Sequence, residues 1–165
     1  MIQFHFNSAT QKHFARHCHG SQKAGGTFLP LIDHISKLVD IAQKLEPIED
    51  KEQGRMRKAF VFEYPEPIGY LGITARSEIN EANIEFEYRD KERIAFLPVS
   101  ELPTTRQFTI VANWNKSRWN VITAYPGGLS MPFPKKGMTS DLYDASKNYW
   151  NRFVLVKKMN PTPIH

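Results

Sequence analysis

Two periodicities divide this chain. Ahead of Pro47 the apolar residues recur at helical spacing, and from Arg57 onward they alternate with polar ones at a period of two. Leu31, Ile32, Ile35, Leu38, Val39, Ala42 and Leu45 share one stripe, which predicts a helix opening at Pro30 and ending at Pro47, since proline suits a first turn and stops an interior. Ahead of it, Ser8 or Thr10 is placed to cap a short helix over Ala9 to Cys18. In the second half, Lys58 to Tyr64 and Tyr70 to Arg76 read as strands around a Pro65-Glu66-Pro67 turn. Ile84 to Tyr88 alternates, and Arg89 to Glu92 turns the chain into Arg93 to Leu97. Phe108 to Trp114 and Arg118 to Tyr125 form a hairpin across Asn115-Lys116-Ser117. Ser140 and Asp141 open a last helix with Leu142, Ala145, Tyr149 and Phe153 on one side. Gly20 to Gly26 reads as a mobile loop, Leu129 to Met138 as irregular, and Asn160 to His165 as a frayed tail. Helices, then an antiparallel meander, then a closing helix make an α+β fold, with the N-terminal helices packed on a twisted antiparallel sheet.

Composition narrows the partners. The chain has 165 residues, suited to one domain over 1–165 with a core of its own. Its 22 Lys+Arg against 17 Asp+Glu give a net charge of +5, and the pI is about 9.3. Such a balance suits a polyanion. Cys18 is the sole cysteine, which excludes an internal disulfide and multi-cysteine zinc motifs. No apolar run is long enough for a membrane helix, and Met1 to Phe6 does not read as a signal peptide. Export would therefore need another carrier, or release from a longer chain.

Candidate chemistry gathers in two segments. The first is His13-Phe14-Ala15-Arg16-His17-Cys18-His19-Gly20, where His13 and His17 are four apart and would share a helix face. The second is Arg118 to Gly128, a strand ending in Thr123-Ala124-Tyr125-Pro126-Gly127-Gly128. Thr123 and Tyr125, two apart, point to the same side, and the Pro-Gly-Gly turn would end pairing and leave room for a ligand backbone. A histidine suits proton transfer near neutral pH. The planar fork of Arg16 suits a phosphate, and a hydroxyl and a phenol can donate to one. At the hairpin tip, Lys116 and Arg118 could grip a nucleic-acid backbone while Trp114 or Trp119 stacks a base. Lys135 and Lys136 would extend that basic rim.

With both segments in view, the chain resembles the barnase–EndoU–colicin–RelE group of small toxin ribonucleases. The histidine-rich end of the first helix carries part of the likeness. The rest lies in Trp119 to Gly127, similar to the VTAYPG strand of phage-borne and contact-dependent-inhibition toxins. The resemblance implies metal-independent cleavage of RNA, often tRNA, without a cofactor, in the cytoplasm of a target or host bacterium. Delivery as the C-terminal part of a larger secreted protein would fit, with a cognate immunity or antitoxin protein, acidic in character, as partner. His17 and His13, with Thr123 and Tyr125, would be catalytic; Arg16, Lys116, Arg118 and Trp119 would hold substrate. Lys51 to Pro103 matches no motif of the group.

Other readings stay open. The same fold without catalysis would be an RNA- or protein-binding module. His13 and His17 also have a zinc-binding spacing, but Phe14 stands where HExxH needs glutamate and no third ligand is apparent. Cys18 lacks a partner motif for a nucleophile and reads as a free thiol. His5 and His34 read as structural or exposed, and the two tryptophans as core residues if they bind nothing.

Overall fold

The computed structural model describes residues 2–17, 27–75, 85–89, 92–97, 103–129 and 137–158. In chain order the elements begin with β1 (Phe4–His5), α1 (Ser8–Phe14), a 3-10 turn (Ala15–His17), β2 (Thr27–Phe28) and α2 (Ile35–Ala42). There follow β3 (Glu49–Gly54), β4 (Arg57–Glu63), β5 (Gly69–Tyr70), β6 (Ile73–Ala75), β7 (Glu85–Arg89) and β8 (Glu92–Leu97). The last are β9 (Thr104–Thr105), β10 (Gln107–Asn115), β11 (Arg118–Pro126), α3 (Ser140–Arg152) and β12 (Phe153–Lys158). The chain is α+β. Its backbone divides into two compact units, Met1–Leu71 with Thr104–Leu129, and Gly72–Pro103 with Ser130–His165.

In the first unit the main sheet runs β1-β11-β10-β4-β3, and a small sheet runs β2-β5-β9. β1 pairs parallel with β11, so the main sheet is mixed and not purely antiparallel. Phe60 and Phe62 of β4, Phe108, Ile110 and Ala112 of β10, and Val121 and Ala124 of β11 form one core with Phe14, Phe28, Leu38 and Val39. Phe62 stacks on Phe108 at 5.2 Å, and Phe4 meets Phe60 edge-on at 5.5 Å, arrangements that add to area burial. The residues alternating with these, Ala59, Val61, Thr109 and Val111, are also buried.

Local chemistry explains the helix bounds. Asn7 caps α1 in a reciprocal box: its Oδ1 accepts from Thr10 N–H at 2.9 Å, and Thr10 Oγ1 accepts from Asn7 N–H at 3.4 Å. The cap therefore precedes the expected Ser8 or Thr10, and α1 ends at Phe14 because the chain tightens into the 3-10 turn. His34 caps α2, its Nδ1 accepting from Ser36 N–H at 3.1 Å. Gln11 Oε1 accepts from Ile35 N–H at 2.8 Å and ties the two helices. α2 thus starts beyond Pro30; Ile35, Leu38, Val39 and Ala42 are buried as expected, while Leu31, in the preceding turn, is exposed. At that entry, the hydrogen bond from Lys37 to Asp33 Oδ1, 2.7 Å long, holds the Asp33 carboxyl below its ordinary value.

The second unit contains a sheet ordered β6-β12-β8-β7 and the helix α3. β7 and β8 form the expected hairpin, and β12 lies parallel to β8. Thr139 caps α3, accepting from Leu142 N–H at 3.3 Å. The last described element is a strand, not the expected closing helix: Phe153 leaves α3 in an extended conformation and begins β12, its ring stacked on Tyr149 at 4.4 Å. The predicted strand Tyr70 to Arg76 divides into β5 and β6. The expectations for Cys18, His19, the loop 20–26, residues 130–136 and the tail from Asn160 lie outside the described residues. Among those described, no helix is long and apolar enough to cross a membrane.

Candidate functional site

The site begins with an anchored helix end. Phe14 is fully buried, its ring 5.3 Å from that of Phe28 on β2. Immediately beyond it the 3-10 turn redirects the backbone and carries His17. From the other side, the Thr10 hydroxyl donates to the Val121 carbonyl on β11 at 3.2 Å, fixing α1 against that strand.

β11 contributes through an irregularity. Val111 pairs with Thr123, but Ala112 pairs with Val121, so Ile122 is an extra residue in the ladder. Val121 and Ala124, three apart, therefore both enter the core. Thr123 and Tyr125 alternate with Ala124 and occupy the opposite face, both half-buried. The rings of His17 and Tyr125 lie 6.5 Å apart, tilted by 47°. The fold thus brings together one residue from each segment singled out in the sequence.

The other candidates separate from this pair. His13 and Arg16 are exposed, and the change from α to 3-10 between Phe14 and Ala15 breaks the helical face expected for His13 and His17. Lys116 and Arg118 are exposed at the far end of the β10–β11 hairpin. At strand rise, Arg118 is roughly 23 Å from Tyr125. Trp119 is half-buried, edge-on to Phe60 at 5.1 Å, and supports Trp114, whose ring lies 5.1 Å away. The outward ring is therefore that of Trp114. Sequence reasoning missed Arg55 and Arg57, which flank the β3–β4 turn at this same end. The available signal was Gly54-Arg55-Met56-Arg57, a turn-forming glycine among arginines. Among the described residues, no group of three or more His, Cys, Asp or Glu is placed to hold a metal.

No family model matches the chain, and no curated protein matches it. Among solved structures it is similar to a conserved hypothetical protein from Toxoplasma gondii ME49, 12% identical, with a TM-score of 0.47 over 79% of this chain and 87% of that one.

The Pro-Gly-Gly turn differs from its sequence reading. Instead of leaving space, it packs on its own unit. A Cβ at Gly127 would lie 2.8 Å from Leu71 Cδ2, and Pro126 already sits where a Cβ on Gly69 would point, at 2.9 Å. Gly127 N–H continues the ladder to the Gln107 carbonyl at 2.8 Å, and its own carbonyl accepts from the buried Thr109 hydroxyl at 2.8 Å. Gly127 holds φ at +99°, a conformation closed to other residues without strain. Gly127→Ala should therefore destabilise the protein by about 1–3 kcal/mol, measured by urea unfolding. Backbone strain dominates, because the Leu71 methyl can rotate aside. An unchanged midpoint would show that the turn relaxes freely.

Proposed function

We propose that this chain is a toxin-like, metal-independent ribonuclease acting on cellular RNA, with tRNA the leading substrate. The juxtaposition of His17 and Tyr125, 6.5 Å between rings, is the observation that supports this reading. In the reaction, the RNA 2′-oxygen attacks the adjacent phosphorus, a base takes the 2′-hydroxyl proton, and the bond to the 5′-oxygen breaks as an acid protonates it. The products are a 2′,3′-cyclic phosphate and a free 5′-hydroxyl. His17 serves one proton transfer. The Tyr125 phenol and the Thr123 hydroxyl, on one face of β11, donate to the phosphate oxygens as charge builds on them. His13 and Arg16 are exposed near the same helix end, where Arg16 could hold a neighbouring phosphate.

The proposal extends to the fold relationship with the toxin group, in which N-terminal helices pack on a twisted sheet. It extends also to a cognate acidic inhibitor, complementary to a basic chain, and to action in a bacterial cytoplasm after delivery within a larger protein. Purified protein should cut RNA in excess EDTA, leave 2′,3′-cyclic ends, and spare DNA, which lacks the nucleophile. Loss of cutting in chelator with rescue by zinc would replace this reading with a metal-dependent one. A second reading, a non-catalytic binding module, draws support from the basic hairpin end roughly 23 Å from Tyr125. It predicts RNA binding with no cleavage by any preparation of folded protein.

A further inference from the structure

The end of the main sheet away from His17 holds a groove of about 410 Å³ between the β3–β4 turn and the last residues of β10. Its walls include Gln53, Arg55, Arg57, Asn113, Trp114 and Asn115, with no carboxylate among the described lining residues. The volume is in the range of small-ligand clefts.

The groove has a fixed frame. Among the described residues, the non-glycine residues at positive φ are Met56 at 62°, Lys116 at 53° and Ser117 at 63°, and all belong to the two turns at this end. At Lys116 and Ser117 this is the ordinary geometry of a two-residue hairpin turn, whereas Met56 holds a conformation that costs energy in a residue with a Cβ. Trp114 N–H donates to the Met56 carbonyl at 2.6 Å, which ties one turn to the other strand. Arg57 Nε donates at 3.4 Å to Oδ1 of Asn113, its directly paired neighbour in β10. Trp114 is 39% exposed, yet its ring is braced by Trp119, which is braced in turn by Phe60. An exposed aromatic face is therefore held still before any ligand arrives.

We propose that this groove is a binding site for single-stranded nucleic acid, in which one unpaired base stacks on Trp114. Arg55 and Arg57 hold the phosphates beside that base, and Lys116 and Arg118 on the adjacent tip extend the track. Stacking on a π-face with cations alongside is the general chemistry of single-strand recognition. The amides of Gln53, Asn113 and Asn115 offer both donors and acceptors to base edges. A carboxylate-rich peptide would use the arginines and the amide donors but leave the aromatic ring without a stacking partner. The inference takes RNA as the substrate from the reading above and adds that an unpaired segment is gripped at a distance from the cut. At duplex phosphate spacing, roughly 23 Å corresponds to about seven nucleotides.

The test uses a fluorescein-labelled dT12 oligonucleotide, which lacks the 2′-hydroxyl and cannot be cut by the proposed chemistry. Its affinity for the full chain is measured by anisotropy over a range of salt. Trp114→Leu should weaken binding about 5- to 150-fold, and Trp114→Phe should restore most of it. Arg55→Gln with Arg57→Gln should reduce the slope of log affinity against log salt by about 1.4. Circular dichroism confirms that each variant is folded. Wild-type affinity in folded Trp114→Leu overturns the site, as does tighter binding of a labelled twelve-residue poly-glutamate than of dT12. Failure here leaves the cleavage proposal standing, because that is decided by RNA end groups; absence of cleavage equally leaves the dT12 result intact.

Discussion

Replacing His17 with alanine should slow single-turnover RNA cleavage by roughly 10²- to 10⁴-fold, the usual cost of losing a general acid or base. The substitution removes a half-buried ring that lies 6.5 Å from that of Tyr125. Affinity for dT12 should stay near wild type, since the imidazole is remote from the groove walls. Tyr125→Phe keeps the ring beside His17 and deletes only the hydroxyl, and Thr123→Val keeps the strand shape in the same way. Rate losses in these two, with unchanged circular dichroism, would assign their oxygens to chemistry and not to packing. If folded His17→Ala cuts RNA at the wild-type rate, His17 is not the proton-transfer group. Attention then passes to His13, which is exposed on the last turn of α1.

Phe14→Ala should cost about 3–5 kcal/mol of stability, because it empties a fully buried aromatic site at the junction of α1, the 3-10 turn and β2. That is a large share of the 5–15 kcal/mol that typically holds a domain together. The loss should be accompanied by reduced cleavage even where the rest of the unit stays folded, since the turn that carries His17 hangs from Phe14. Urea unfolding followed by circular dichroism measures the cost, and activity is followed below the transition. Leu142→Ala, at an exposed position of α3, should move the midpoint little. A change below about 1 kcal/mol for Phe14→Ala would mean that the helix end is not anchored there.

Elements with a periodic apolar stripe were legible in the sequence. β4, the β10–β11 hairpin and the β7–β8 hairpin fall where period-two patterning put them, and the inner face of α2 consists of residues from the apolar stripe. β3 was not legible, because Glu49 to Gly54 is polar and exposed at every position. It is an edge strand set by pairing with β4, and its charges guard that edge against further pairing. The short strands β1, β2, β5 and β9 are set by tertiary contacts that no local window contains. At the site, pattern alone picked out His17 and Tyr125. It had no means of seeing the bulge at Ile122, which chooses the face of Tyr125, nor the 3-10 turn that parts His17 from His13. Glycine was read as room for a ligand, whereas Gly127 makes room for Leu71.

The parallel pairing of β1 with β11 has a consequence in time. Phe4 leaves the ribosome well ahead of its ladder partner Trp119, which follows only after the segment 72–103 of the other unit has been made. At about 5–20 residues per second, that delay is roughly 6–23 s. Throughout it, α1 and His17 exist without β11, and the closing of the sheet waits on a contact between distant parts of the chain. A nascent or prematurely terminated product that stops short of Tyr125 carries His17 but lacks the ring that lies against it.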